Sequence, residues 1–280
     1  MKDMYTFDSD LDAARVTYST VIDVYSELFN CLEVPWRRVT GDCGDIGGHI
    51  SDEFHFLSSI GQDSLVVCSK CEKGYNLELK EKSSLVKCSD CEGTLNVTKG
   101  IEVAHAFLLG DTYSAKLNAT HVGMDRKVHN LQMGCYGIGV SRLIGATVEV
   151  LSTESELRWP KRIVPFSACV ICPKVGSREE DSIKLANELY GELNDIEKGL
   201  FPNDVILDDR EKLTVGKKLR DACKLGYNYI ILFGKSSIDH DPQVELHCPM
   251  PSNGGKHQPT QMTKVPLRDI ISVLKEKSLV

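Results

Sequence analysis

No apolar run in the 280 residues approaches the roughly 20 needed to span a bilayer as a helix. The densest stretch, Tyr229 to Gly234 (YIILFG), reads as a buried strand. The opening MKDMYTFDSD is acidic and not Arg-rich, so it resembles neither a secretory signal nor an organelle transit peptide. A positive net charge is also lacking: 33 Lys+Arg stand against 40 Asp+Glu, a balance of −7 that argues against indiscriminate nucleic-acid binding. Nothing marks an export route, and the eleven cysteines are odd in number, which speaks against a secreted disulfide scaffold. There is no internal repeat. What remains, 41% hydrophobic and 26% charged, is the profile of a globular protein long enough for one large domain or two ordinary ones.

The charge is unevenly spread. From Val164 onward 16 basic residues face 17 acidic ones, whereas residues 1–163 hold 17 and 23, so a local basic face fits the second part better. Arg210 to Lys224 (REKLTVGKKLRDACK) carries six basic and two acidic residues. From charge alone, a solvated helix face explains it as well as an anion site does.

Apolar residues at Leu11, Val21, Ile22, Tyr25, Leu28 and Phe29 predict an amphipathic helix of about five turns after Asp8. Strands are expected at Val34 to Thr40, Asp63 to Cys68, Ile101 to Phe107 and Gly134 to Val140, and a helix from Ser141 to Leu151. RWPKRIVP, with two prolines and three basic residues, marks a boundary between domains over residues 1–163 and 164–280. Beyond it SACVIC, DVILDD, YNYIILFG and QVELHC read as strands. DSIKLANELYGEL, VGKKLRDACKLG and LRDIISVLKEK read as helices, and Ser252 to Gln261 as a loop. That alternation indicates an α/β domain with a largely parallel sheet.

Two constellations stand out. Cys68-x2-Cys71 and Cys88-x2-Cys91 are separated by sixteen residues, with Lys80 to Ser84 (KEKSS) as the far turn of a ribbon over residues 66–95. Each CxxC turn sets two thiolates on one side of a knuckle, and two knuckles give the tetrahedral sulfur site that Zn²⁺ prefers. Two pairs of reduced thiols, or a ribbon that has lost its metal, would leave the same pattern. With four thiolates the metal would have no open position and a structural role. Cys169 and Cys172 are also spaced CxxC, but within a strand they point to opposite faces and read as packing residues. The second constellation is Met133 to Arg142 (MGCYGIGVSR). A glycine-dense strand lets a ligand approach closely, and an arginine just beyond can aim its guanidinium at phosphate.

MGCYGIGVSR resembles motif 3 of class II aminoacyl-tRNA synthetases as prolyl-tRNA synthetases carry it. In the same order, MKDMYTFD (Met1 to Asp8) resembles the end of motif 2 and GGHISDEF (Gly47 to Phe54) the family's GGxxSxEF. GIEVAHAFLLGDTYS (Gly100 to Ser114) resembles its GIEVGHxFxLGxKYS. RWP, VILDDR and GKKL…LG…ILFGK are similar to its anticodon-binding domain. The interval from Phe54 to Gly100 holds only the cysteine ribbon where bacterial relatives commonly insert an editing domain, so the chain looks like the mitochondrial form.

The resemblance implies an α/β chain: part of an α+β class II catalytic domain on an antiparallel sheet, then an α/β anticodon-binding domain. It implies formation of prolyl-adenylate from proline and ATP with Mg²⁺, and transfer to tRNA-Pro. Arg142, His105 and Glu102 would be catalytic, Gly137 and Gly139 would pass beneath ATP with Arg142, and His105, Phe107, Cys135 and Glu53 would contact substrate. Lys217, Lys218, Arg220, Lys224, Asp209 and Arg210 would face tRNA, and Cys68, Cys71, Cys88 and Cys91 would hold zinc. A homodimer in the mitochondrial matrix, without membrane association, completes the expectation. Ser51 matches a position near the aminoacyl site, and Asn76 and Glu78 fit an NxE with no chemistry assigned.

The sequence also departs from the pattern. Ala104 stands where the family usually has glycine, adding a methyl expected close to the pocket, and Thr112 replaces a usual lysine. Motif 1 and the motif 2 arginines would precede Met1, so this polypeptide alone is expected not to form the adenylate. The competing reading is a non-catalytic synthetase-like nucleic-acid-binding protein.

Overall fold

Asp10 starts the first helix: its carboxylate accepts from the Ala13 N–H at 2.9 Å, meeting one of the donors that a helix start leaves open. The helix, α1 (Leu11–Cys31), buries Ala14, Tyr18, Ile22, Tyr25 and Phe29, spaced three and four apart, and leaves Leu28 outside that stripe. The computed structural model describes residues 1–71, 73–79, 87–248 and 260–279, so the expected KEKSS turn lies outside the described residues. The chain divides into two units, Met1–Val150 and Leu151–Val280.

In the first unit the strands are β1 (Lys2–Asp8), β2 (Trp36–Thr40), β3 (Ile50–Leu57), β4 (Asp63–Cys68), β5 (Gly74–Asn76), β6 (Leu95–Gly110), β7 (Thr120–Val122), β8 (Val128–Asn130) and β9 (Gln132–Ile138). Helices α2 (Ser114–Leu117) and α3 (Val140–Leu151) complete it. Seven strands form one sheet in the order β1-β9-β6-β3-β2-β5-β4, antiparallel except for β2 against β5. β7 and β8 form a separate hairpin. Because β6 also pairs with β4, the five strands β6, β3, β2, β5 and β4 close into a ring.

Alternation along the strands gives this sheet two unlike faces. On one, Phe54 and Phe56 meet Phe29, and Tyr25 meets Phe54, at ring separations of 5.2 to 5.7 Å under α1. Each such buried side chain contributes roughly 1.5–3 kcal/mol. The opposite face, at β1, β9 and the second half of β6, leaves Tyr5 and Phe7 more than half exposed.

The second unit holds β10 (Ala168–Ile171), α4 (Ile183–Asn194), β11 (Val205–Asp208), α5 (Val215–Leu225), β12 (Tyr229–Leu232), β13 (Gln243–Cys248), β14 (Gln261–Pro266) and α6 (Ile270–Leu279). The sheet order is β11-β10-β12-β13-β14, with the first three strands parallel and the last two joined antiparallel. β14 is a strand that the sequence reading did not include. Of the loop expected over Ser252 to Gln261, residues 252–259 lie outside the described residues and Gln261 opens β14.

One face of this sheet packs Ala186, Leu189 and Leu193 of α4 with Ile270 and Leu274 of α6, and the other packs Ala222 of α5. Cys172 belongs to the first core and Cys169 to the second, as their strand spacing predicts. Burial pushes the Cys169 thiol up to about 12. The RWP stretch packs on the end of α5, where Trp159 Nε1 donates to the Leu225 carbonyl at 3.1 Å and Leu157 N to the Cys223 carbonyl at 3.1 Å.

Candidate functional site

Two residues three apart on a strand normally face opposite ways, yet Glu102 and His105 meet. The cause is a bulge: Phe54 pairs with Ala104 and His55 with Glu102, so Val103 is the extra residue of β6 and the alternation resets. His105 Nδ1 then lies 2.8 Å from Glu102 Oε1, and His105 Nε2 2.6 Å from Ser51 Oγ. Nδ1 hydrogen-bonds the Glu102 carboxylate, and Nε2 shares the other hydrogen bond with the Ser51 hydroxyl. Phe107 stacks on the His105 ring at 3.9 Å, fixing its plane.

Arg142, in the first turns of α3, donates to the Glu102 carbonyl at 3.2 Å and lies 3.7 Å from Glu102 Oε2. Its side chain is 62% exposed, so the guanidinium keeps donors facing solvent. Burial works to raise the pKa of Glu102, but the hydrogen bond from His105 and the charges of His105, His55 and Arg142 outweigh it. They hold the carboxyl below its ordinary range.

Gly137 pairs with His105, and Cys135 with Phe107, placing these side-chain positions on the same open face as Asp3 and Tyr5 of β1. A Cβ at Gly137 would meet only the ends of the Met1 and Asp3 side chains, so the glycine leaves the face flat rather than relieving a backbone clash. Gly139 N donates to the Val103 carbonyl at 2.9 Å, tying the start of α3 to the bulge.

Two expectations require correction here. Glu53 does not offer its carboxylate as an exposed substrate contact. It is 6% exposed, accepts from His55 Nε2 at 2.7 Å and Asn76 Nδ2 at 3.0 Å, and leaves no space for a Cβ at Gly41. Ala104 does not place a methyl at the pocket. It pairs with Phe54 and Ile138 on the helix-covered face, because the bulge separates its direction from that of Glu102. Thr112 donates to the Leu109 carbonyl at 2.7 Å beside Gly47.

The four ribbon cysteines converge. Their sulfurs all lie within 4.8 Å of one another, with Cys68 to Cys91 and Cys71 to Cys88 each at 3.5 Å. A tetrahedron with 2.3 Å metal–sulfur bonds has edges of roughly 3.8 Å, so the set fits a closed tetrahedral ion. Backbone N–H groups of Cys71 and Lys70 draw the Cys68 thiol down to about 6, a thiolate-favouring setting. Among the described residues no other group of three His, Cys, Asp or Glu could hold a metal.

In the second unit, Thr214 caps α5 by accepting from Lys217 N. The helix carries Arg220 and Lys224 exposed, without an ion-pair partner among the described residues. Lys217 Nζ pairs with Asp221 at 2.7 Å, and Arg210 with Asp208 and Asp221 at 2.7 and 2.9 Å. Asp209 is exposed beside them, and a groove of about 530 Å³ runs past Asp208, Asp209, Arg210, Lys224 and Tyr227.

Lys218 does not belong to this surface, which corrects its assignment as an RNA contact. It is fully buried, with Nζ donating to the Cys172 carbonyl at 2.9 Å and the Asp208 carbonyl at 3.2 Å. The signal was present: Lys218 is four residues from the buried Ala222, on the inward stripe of the helix. His55, which the sequence reading does not include, alternates along β3 with Ser51 and Glu53, and that period of two is the signal that marks it.

Residues 1–151 match the family model "tRNA synthetase class II core domain (G, H, P, S and T)", and residues 168–277 match "Anticodon binding domain". A human protein named "Probable proline–tRNA ligase, mitochondrial" is 44% identical over 248 residues, 89% of this chain and 52% of the relative. A Schizosaccharomyces pombe protein of the same name is 39% identical over 84% of this chain and 54% of its own length. The proline–tRNA ligase of Ehrlichia ruminantium is 33% identical over 86% and 57%. The chain thus spans about half the length of the curated relatives it matches. The crystal structure of prolyl-tRNA synthetase from Cryptosporidium parvum, complexed with L-proline and AMP, superposes with a TM-score of 0.69 at 15% identity. It covers 98% of this chain and 46% of that one, a likeness of fold. With a class II core model matched along its first 151 residues, the chain belongs to the class II tRNA synthetase family.

Proposed function

We propose that the chain is the part of a mitochondrial proline–tRNA ligase that carries one wall of the adenylation site and the anticodon-binding domain. The observation that supports this most is the Ser51–His105–Glu102–Arg142 chain on the open sheet face, at the positions where the family resemblance puts amino acid and ATP. The 44% identity to a relative named as mitochondrial supports the substrate and the mitochondrial compartment, and the matrix is the location proposed within it.

Adenylate formation is attack of the proline carboxylate on the α-phosphorus of ATP, with pyrophosphate leaving. It needs little side-chain proton chemistry, so positioning and charge neutralisation carry the rate. Arg142 meets the triphosphate with its free donors, a role that suits a planar guanidinium. Glu102 aims Arg142 and holds the tautomer of His105. His105 and Phe107 line the amino-acid pocket with Cys135, and Gly137 and Gly139 let the nucleotide lie close. Glu102, the carboxylate 3.7 Å from Arg142, would help hold Mg²⁺, which would supply neutralisation of the triphosphate charge.

Cys68, Cys71, Cys88 and Cys91 would hold structural Zn²⁺. Metal analysis of the purified chain should find one zinc per chain, lost when Cys88 and Cys91 are replaced by Ser.

The second unit reads the anticodon stem-loop of tRNA-Pro, with Arg220 and Lys224 on phosphate and Lys217, Arg210 and Asp209 at the groove beside them. The homodimer implied by the family resemblance belongs to the same reading and is open to sedimentation analysis. Calorimetric titration with a non-hydrolysable prolyl-adenylate analogue and its alanyl counterpart tests the substrate. Saturable binding of the prolyl compound alone is expected, and equal binding of both, or none, contradicts it.

A further inference from the structure

The ring of strands β6, β3, β2, β5 and β4 encloses Val39, Leu65 and Val67 together with three buried polar residues, Glu53, His55 and Asn76. Burying a carboxylate is costly unless donors satisfy it. Glu53 Oε2 receives both of its side-chain donors here: Asn76 Nδ2 at 3.0 Å and His55 Nε2 at 2.7 Å. The other nitrogen of His55, Nδ1, lies 3.7 Å from Asp63 Oδ2. Register carries the network to the open face, since Glu53 is the cross-strand partner of His105 and His55 that of Glu102, one on each side of the Val103 bulge.

Asn76 reaches Glu53 from β5, the second strand of a hairpin whose turn is the first thiol knuckle. Cys68 N donates to the Lys73 carbonyl at 2.9 Å, Val67 pairs with Gly74, and Leu65 pairs with Asn76. A one-residue slip in that hairpin would turn Asn76 out of the ring and strip a donor from Glu53.

We propose that Asn76 is a positioning residue: through Glu53 and His55 it holds β3 against the bulge that brings Glu102 and His105 together, and closure of the four-cysteine cluster keeps it in register. The cysteine ribbon then serves the open face, as well as the local stability of its own hairpin. Describing that face as the amino-acid site rests on the function proposed above, but the coupling from ribbon to face does not.

The test is ¹⁵N imidazole NMR of His55 and His105 in the 280-residue chain. Asn76→Asp removes the donor and sets carboxylate against carboxylate. It should move the His105 resonances, and Cys71→Ser/Cys88→Ser should move them in the same sense. The combined variant should add little to either, because both act on one contact. Val67→Ala, which loosens the same ring without touching the polar chain, should leave His105 at its wild-type position. A His105 signal unmoved by Asn76→Asp, or moved equally by Val67→Ala, overturns the positioning role. A signal unmoved by the cysteine pair overturns the coupling to the cluster.

Should either polar variant unfold, Asn76→Ala and amide exchange across Ile50–Leu57 replace it. Protection should fall by about tenfold, and unchanged protection contradicts the proposal. None of these readouts needs a ligand, so they fail or succeed independently of the analogue titration.

Discussion

The two sheets of this molecule treat charge differently because they are covered differently. In the first unit, α1 covers one face and the other is bare at β1, β9 and the end of β6, so strand alternation turns side chains there to solvent. In the second unit α4 and α6 cover one face, and α5 covers the other at β10 and β12. The tRNA contacts proposed above therefore fall at the strand ends, where open α/β sheets place their ligands, and on the outer side of α5. The same helix divides its lysines between two tasks. Lys217 sits half-exposed in an ion pair, whereas Lys218, next in sequence, ties the ends of β10 and β11 together from inside.

The largest effect should come from the covered face. Phe29 is fully buried against Phe54 and Phe56, and Phe29→Ala should cost about 3–5 kcal/mol in chemical denaturation of the first unit. Next, Lys218→Met leaves the buried Cys172 carbonyl without its donor, while the Asp208 carbonyl keeps the Cys172 N–H at 3.2 Å, and should cost about 1–3 kcal/mol. Lys217→Ala should stay within about 0.5 kcal/mol. Equal costs for the two lysines would erase the distinction between inner and outer sides of α5.

Reversing the charge of Arg220 and Lys224 should weaken tRNA binding and flatten its salt dependence by roughly one unit of slope per lost phosphate contact, with stability near wild type. An unchanged slope would move the RNA face elsewhere. A modest effect is that of pH on the open face. The pKa of Glu102 is lowered on folding, so its contribution is present above the unfolded carboxyl's pKa and lost as pH falls through the folded one. Glu102→Gln should flatten that acid limb, measured in urea titrations at several pH values, by no more than about 1 kcal/mol. A steeper limb in the variant would contradict the sign.

Much of this was legible in the residues. The apolar period after Asp8 marked α1, the paired CxxC turns marked a thiol cluster, and the glycine-dense MGCYGIGVSR marked β9 and the start of α3. The misses have physical causes. The family resemblance puts Ala104 at the pocket, whereas the bulge at Val103 that turns it away, and brings Glu102 to His105, cannot be read from alternation. Glu53 looked like a ligand-binding group because its donors, Asn76 and His55, come together only when the strand ring closes. Lys218 was counted as surface charge although its helical position lies on the buried stripe. β14 was missed because its alternation is weak: four of its six residues are exposed.

The central claim is that the bare face of the first sheet, and not the helix-covered one, receives the amino acid and nucleotide. Ala104 and His105 are neighbours in sequence that point to opposite faces, so they separate the two possibilities in one experiment. A prolyl-adenylate analogue is titrated calorimetrically into the wild-type chain, His105→Ala and Ala104→Gly. The expected result is at least about tenfold weaker binding for His105→Ala, the loss of roughly 1.4 kcal/mol, and affinity within about twofold of wild type for Ala104→Gly. Comparable losses in both variants, or a larger loss in Ala104→Gly, would contradict the assignment of the site to the open face.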